Sequence, residues 1–251
     1  MHSRAVDSIC FRIDINRMPG EENPLIPPFS KGERGGIFAS QANRGDLTLA
    51  LIAALLFVPL FIFRSVGPFD FWWWMSVNIT ALIVLGNLSD KSYFPSVLSD
   101  MRSRPVWKTG VGVLAAILLY GIFFAGNWLS RHILPFAGPD ISRVYGFKEG
   151  ASTLRVILLM TLLIGPGEEY FWRGFLQRRF QTRFGRGAGW LLTSTLYAFV
   201  HAGSGNIMLV LAAAVCSLFW GFLYLRLRSV LLVAVSHTLW DLLVFVVVSY
   251  Q

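Results

Sequence analysis

The sequence predicts an all-α protein, a polytopic membrane helix bundle of about seven transmembrane helices. Three observations predict it. Of the 251 residues, 55% are hydrophobic and only 14% charged, and the mean hydropathy is +0.57, too apolar for a wetted globular surface. Apolar runs close to the roughly 20 residues needed to cross the hydrocarbon core recur along the chain. The 22 Lys and Arg residues fall between those runs and form no patch, the pattern of membrane-protein loops and not of a nucleic-acid-binding surface.

Residues 1–46 carry six Lys or Arg, Pro27-Pro28 and Gly35-Gly36, with no apolar periodicity, and are expected to form a flexible polar tail. Met18 offers a second start, and no secretory signal is expected because no apolar stretch precedes Leu47. Cys10 lies in this tail and Cys216 in an apolar run, so neither a disulfide framework nor a cysteine zinc site is expected.

The first span is expected at 47–63. The second, 71–88, opens on an interfacial belt of Trp72, Trp73 and Trp74; the third, 106–129, has Trp107 and Trp128 at its ends and Lys108 near its start. These make an N-terminal block of transmembrane helices over 47–135. A fourth run begins at Val156 and meets Glu168, Glu169 and Arg173 before the basic cluster Arg178, Arg179, Arg183 and Arg186. No charged residue lies in 187–225, which is long enough for two spans around the turn Gly203-Ser204-Gly205-Asn206. The last span, 229–249, contains His237 and Asp241. With seven spans and the N-terminus in the cytoplasm, 16 loop or tail Lys and Arg lie inside and 5 outside. The positive-inside rule therefore predicts N-in and C-out.

A charged side chain at the bilayer centre costs roughly 2.5–3.5 kcal/mol on insertion scales. Glu168, Glu169, Arg173, His201, His237 and Asp241 are therefore the candidate functional residues. Glu169 and Arg173, four apart, equally fit an internal ion pair that makes the helix insertable. Glu168 points about 100° away from Glu169 and needs another partner. His201 taken alone reads as a packing histidine, and His237 with Asp241 as an interhelical clasp or an oriented imidazole. Their convergence at similar depths on three helices is what packing explains poorly. A desolvated Glu and His residues are the parts that activate water for amide hydrolysis. The same residues suit proton or ion translocation, and the residue types alone leave both open.

Gly167-Glu168-Glu169-Tyr170-Phe171-Trp172-Arg173 resembles the EExxxR signature of the CAAX-processing and bacteriocin-immunity (CPBP) family of intramembrane proteases. Tyr197 with His201 resembles its FxxxH motif, His237-Thr238-Leu239-Trp240-Asp241 its HxxxN or HxxxD motif, and Phe219-Trp220-Gly221 through Ser229 the segment before it. The resemblance spans about 150–249 and implies a catalytic transmembrane core there. It implies a multi-pass endopeptidase, of the cell membrane, cutting CAAX-type or other hydrophobic membrane-associated substrates, with the lipid bilayer and a membrane-anchored peptide or protein as partners. By position, Glu168 is the general base acting on water with His201; Glu169 and Arg173 brace the site; His237 and Asp241 stabilise the oxyanion or complete the water site. The resemblance allows zinc, with Glu168, His201 and His237 as its ligands, and equally a metal-free glutamic protease. Two positions depart from the usual pattern: Tyr197 adds a hydroxyl that needs a partner, and Asp241 stands where Asn is common, so it is either protonated or orients His237. The rival expectations are a transporter or proton-coupled channel, and a non-catalytic immunity or assembly partner.

Overall fold

The computed structural model describes residues 37–247. Residues 1–36 of the expected tail, with Cys10 and Met18, and positions 248–251 at the end of the last expected span lie outside the described residues. The described chain is helical throughout, with no β-strand: α1 (Ile37–Phe63), α2 (Phe71–Ser89), α3 (Tyr93–Arg102), α4 (Pro105–Ile133), α5 (Ala137–Lys148), α6 (Thr153–Phe184), α7 (Arg186–His201), α8 (Ile207–Leu227) and α9 (Val230–Val247). The all-α expectation holds. Helix α1 starts ten residues before the apolar run, so the polar stretch up to Asp46 is a helical extension of the first span.

Five helices are long and apolar enough to cross a membrane, and the α5–α6 pair, bent by 91°, makes six if it is counted as one broken span. The count of seven differs at α7. Its 16 residues make about 24 Å of helix, short of the ~30 Å hydrocarbon core. Helices α3 and α5, too polar to stand out as apolar runs, are further elements of the bundle.

Polar caps start the helices where the apolar runs begin. Asp70, Ser152, Asn206 and Ser229 each accept a backbone N–H of the first turn of α2, α6, α8 and α9, satisfying donors that lipid cannot. The expected turn at 203–206 is present, with Gly205 at φ +62°. Leu51, Leu55, Leu114, Leu118 and Leu162 are exposed, as lipid-facing side chains are, whereas the interior combines aromatic rings with polar groups.

Contacts between helices define the two ends of the bundle. At one end Arg179 donates to Asp46 (2.8 Å) and Arg178 to Asp90 (2.9 Å). There Lys108 pairs with Asp100 (2.6 Å), whose other oxygen accepts the Leu231 N–H and the Ser229 hydroxyl at the start of α9. At the opposite end the Trp72 indole donates to the Phe147 carbonyl (2.9 Å), Lys148 to the Phe245 carbonyl (2.8 Å) and Asn206 to the Asp140 carbonyl (2.7 Å), and Arg155 pairs with Asp70. Helix α5 lies at this second end.

Candidate active site

The Glu-Glu pair sits in the middle of α6, where the backbone is not a regular α-helix. Pro166 has no N–H to donate, and the turn before it, Met160–Ile164, is π-helical, closed by the Gly165 N–H on the Met160 carbonyl. A second π segment, Tyr170–Gln177, follows. Such segments shift the register of side chains and gather at functional sites. The glycines beside the glutamates permit close approach: a Cβ at Gly167 would strike Ile79 of α2, and one at Gly165 would strike Thr238 of α9. The Gly-Pro-Gly preceding the glutamates thus presses α6 against both neighbours.

The two glutamates diverge as their spacing requires. Glu169, 0% exposed, accepts from Arg173 Nη1 at 2.7 Å, and Arg173 is 1% exposed. The guanidinium also lies 4.9 Å from the Tyr197 ring centroid and 5.6 Å from that of Trp220, so its charge is met by a carboxylate and two π-faces. The expected i,i+4 pair is therefore present. Its Oε1 also takes the Nδ1–H of His237, again at 2.7 Å.

Glu168 finds its partner in Tyr197, whose hydroxyl donates to Oε2 at 2.9 Å. This one bond answers two expectations, the unneutralised carboxylate and the buried phenol. His201 gives a ring N–H to the Tyr197 carbonyl, with Nδ1 at 2.7 Å; because a carbonyl only accepts, Nδ1 carries the proton and Nε2 is bare. The ring also lies against Phe61, centroids 4.4 Å apart.

His237 is the hub. With Nδ1–H committed to Glu169, its Nε2 stands 3.6 Å from Glu168 Oε2 and 3.4 Å from Asp241 Oδ2. A bare Nε2 would aim its lone pair at two carboxylates, so this corner needs a proton shared among the three groups. The imidazole stacks on Trp220, centroids 3.8 Å apart and planes at 21°, and that indole is itself held by the Ser236 hydroxyl. Asp241 thus stands beside His237, its Oδ2 within ion-pair distance of Nε2.

Glu168, His201, His237 and Asp241, with Tyr197 and Trp220, line one cavity of about 460 Å³, within the range of ligand-binding pockets. Glu169 and Arg173 do not reach it and lie behind Glu168 and His237. Sequence reasoning placed Tyr197 and Trp220 in motif segments, and noted that the Tyr197 hydroxyl needs a partner, but did not name either among the site residues. Glu168, His201 and His237 are not arranged as a metal cage: among the described residues no group of three or more His, Cys, Asp or Glu is gathered so as to hold an ion. Each imidazole gives one N–H away, His237 to Glu169 and His201 to the Tyr197 carbonyl, and keeps its Nε2, an arrangement that orients an imidazole with or without a metal.

Residues 150–243 match the family described as Type II CAAX prenyl endopeptidase Rce1-like. The three motifs all fall within that segment, whereas the cavity they help to line also takes residues of α1, α2, α4 and α5 outside it. The match bears out the resemblance to the CAAX-protease family read from the motifs, and the spans make the chain an integral membrane protein. Neither a curated protein nor a solved structure matches the chain. At the level of the family, the activity is CAAX-type endopeptidase, a hydrolase working in membranes.

Proposed function

We propose that the chain is an intramembrane endopeptidase in which Glu168 and His201 activate a water molecule. The observation that carries the reading is that Glu168, His201, His237 and Asp241, from three helices, face one cavity inside an apolar bundle. The Tyr197 hydroxyl holds Glu168 Oε2, leaving Oε1 to accept a proton from water. The bare Nε2 of His201 accepts the second hydrogen of that water, so that a lone pair of the water oxygen is aimed at a substrate carbonyl. As the C–O bond forms, Glu168 takes the proton and the carbonyl oxygen becomes an oxyanion. His237, held through Nδ1 by Glu169 and oriented by Asp241, offers its protonated Nε2 to that oxygen. Collapse of the tetrahedral intermediate breaks the C–N bond, and the proton on Glu168 passes to the leaving amine. No step is routed through a metal.

The partners on this reading are the bilayer and a membrane-anchored peptide or protein. The charge asymmetry of the loops supports a cytoplasmic N-terminus and, with an odd number of crossings, an external C-terminus; residence in the cell membrane is carried over from the family resemblance. The test is cleavage of a membrane-anchored peptide by the protein in liposomes. Wild type should cut it and Glu168→Gln and His201→Ala should not; cleavage undiminished in both variants would end the proposal.

A further inference from the structure

Two turns meet at the end of the bundle that carries Arg178 and Arg179. One joins α3 to α4 through Ser103 and Arg104, and the other joins α8 to α9 through Arg228 and Ser229. Asp100 ties them together. One of its carboxylate oxygens takes the Lys108 ammonium of α4 at 2.6 Å, and the other takes the Ser229 hydroxyl at 3.2 Å and the Leu231 N–H at 3.0 Å. Lys108 also donates to the Ser103 hydroxyl at 3.0 Å. The chain around this joint is basic: Arg102 and Arg104 flank Ser103, and Arg226 and Arg228 precede Ser229. The three described carboxylates at this end are engaged by other cations, Asp100 by Lys108, Asp90 by Arg178 and Arg179, and Asp46 by Arg179. Arg102 and Arg226, both exposed, and the half-buried Arg228 therefore add positive charge that no described carboxylate offsets.

The backbone at this joint is costly. Arg104 and Arg228 have φ of +48° and +53°, the left-handed region; among the described residues only Arg64 shares it outside glycine. Glycine reaches that region without a steric penalty and is the usual residue just past a helix end, where Arg228 follows α8. Arg104 also precedes Pro105, where helical backbone is disfavoured. The helix dipole accounts for a cation in the last turn of α3 and of α8, which is where Arg102 and Arg226 stand. It does not account for a long side chain at a left-handed position that a glycine would fill more cheaply. Backbone held at a cost points to a use for the side chain it carries.

We propose that the joint of the two turns seats the phosphate of an anionic phospholipid, held by Arg102, Arg226 and Arg228. Helices α4 and α8 are both long and apolar enough to cross a membrane, and the joint lies at the first residue of one and the last of the other, which is headgroup level. Guanidinium groups there meet a phosphodiester with charge-assisted hydrogen bonds. The apolar surface that acyl chains need adjoins the charges: Val106, Trp107 and Leu227 are 85%, 52% and 39% exposed, and Trp favours this level of the membrane. That adjacency commits the seat to a lipid and not to free phosphate. The proposal is independent of the chemistry in the cavity and of which leaflet the joint faces.

The test titrates the full-length protein in detergent with dihexanoyl phosphatidylglycerol, dihexanoyl phosphatidylcholine or inorganic phosphate, and reads binding by native mass spectrometry. Phosphatidylglycerol should bind in preference to the other two. No preference over phosphatidylcholine overturns the proposal, and equal binding of inorganic phosphate overturns its lipid occupant. Arg102→Gln, Arg226→Gln and Arg228→Gln should each lower the preference about fivefold, whereas Lys91→Gln, an equal change of charge on the turn between α2 and α3, should leave it unchanged. An equal loss in Lys91→Gln shows diffuse surface charge only and overturns the seat. Arg228→Gly separates binding from folding. Relief of the left-handed backbone should raise the melting temperature without lipid by about 1–4 °C, while the phosphatidylglycerol preference still falls. A variant that keeps the full preference overturns the role of Arg228, and Arg102→Gln, at an exposed position, reads the same seat with the turn backbone intact.

Discussion

Replacing Arg173 by Met removes a buried cation of similar length and leaves the Glu169 carboxylate, 0% exposed, with only His237 as a partner. Loss of one member of a buried pair costs about 3–5 kcal/mol, because the remaining charge stays desolvated. Arg173 also gives up contacts with the faces of Tyr197 and Trp220, which places the cost toward the upper end. At roughly 2–4 °C per kcal/mol for a chain of this size, the melting temperature in detergent should fall by about 6–20 °C. Glu169→Gln should cost a similar amount, since it strands the guanidinium. In the double variant no charge is stranded, so the loss should undercut the sum of the singles by at least about 1 kcal/mol. Equilibrium unfolding of the four proteins in one detergent gives the cycle. Strict additivity, or an Arg173→Met penalty below about 1 kcal/mol, would refute the idea that this pair is an internal brace neutralising α6.

Glu168→Gln should keep the fold, because the Gln carbonyl still accepts from Tyr197, yet lower peptide hydrolysis roughly 100- to 10,000-fold, the range for a lost general base; turnover in liposomes reads it. Tyr197→Phe deletes one bond to a charged acceptor, about 1.5–3 kcal/mol, so kcat should fall about 10- to 150-fold with KM nearly constant, and an unchanged kcat would remove Tyr197 from the site. Asp90 lies outside the spans: burial raises its carboxyl, but the Ser92 hydroxyl and N–H and the Arg178 and Arg179 guanidiniums outweigh burial and hold it below the ordinary aspartate value. A lowered folded-state value means that its contribution is fully present above about pH 4 and lost as pH falls through the folded value. Asp90→Asn should therefore cost under about 1 kcal/mol near neutrality and nothing in strong acid, as a pair of pH-dependent unfolding curves will show.

Helix-period contacts were legible in the sequence, and contacts made by the fold were not. Glu169 with Arg173 and His237 with Asp241 are each four apart, and both pairs meet in the structure, at 2.7 and 3.4 Å. Nothing local links Glu168 to Tyr197, 29 positions on, or Glu169 to His237, 68 positions on; both depend on the packing of α6 against α7 and α9. The spans were read from apolar length, a rule that finds α2, α4, α8 and α9 and misses α3 and α5 because their sequences mix charge and apolar residues. The same rule overcounts α7, which follows Gly185 directly after α6 and relies on burial against its neighbours more than on length.

Two adjacent glutamates in one helix do different work because a 100° turn sends them to different surroundings. Glu169 meets a guanidinium and an imidazole N–H behind the cavity wall, so its charge is spent on holding Arg173 and His237. Glu168 accepts from the Tyr197 hydroxyl at the cavity wall, with His237 Nε2 3.6 Å from the same oxygen. Exchanging the surroundings would exchange the roles, which is why the EE dipeptide alone says so little and the Tyr197 and Arg173 partners say so much. On the proposed mechanism the glutamate without a guanidinium partner is the one that acts on water, and the bilayer makes that placement expensive enough that packing alone is a poor reason for it.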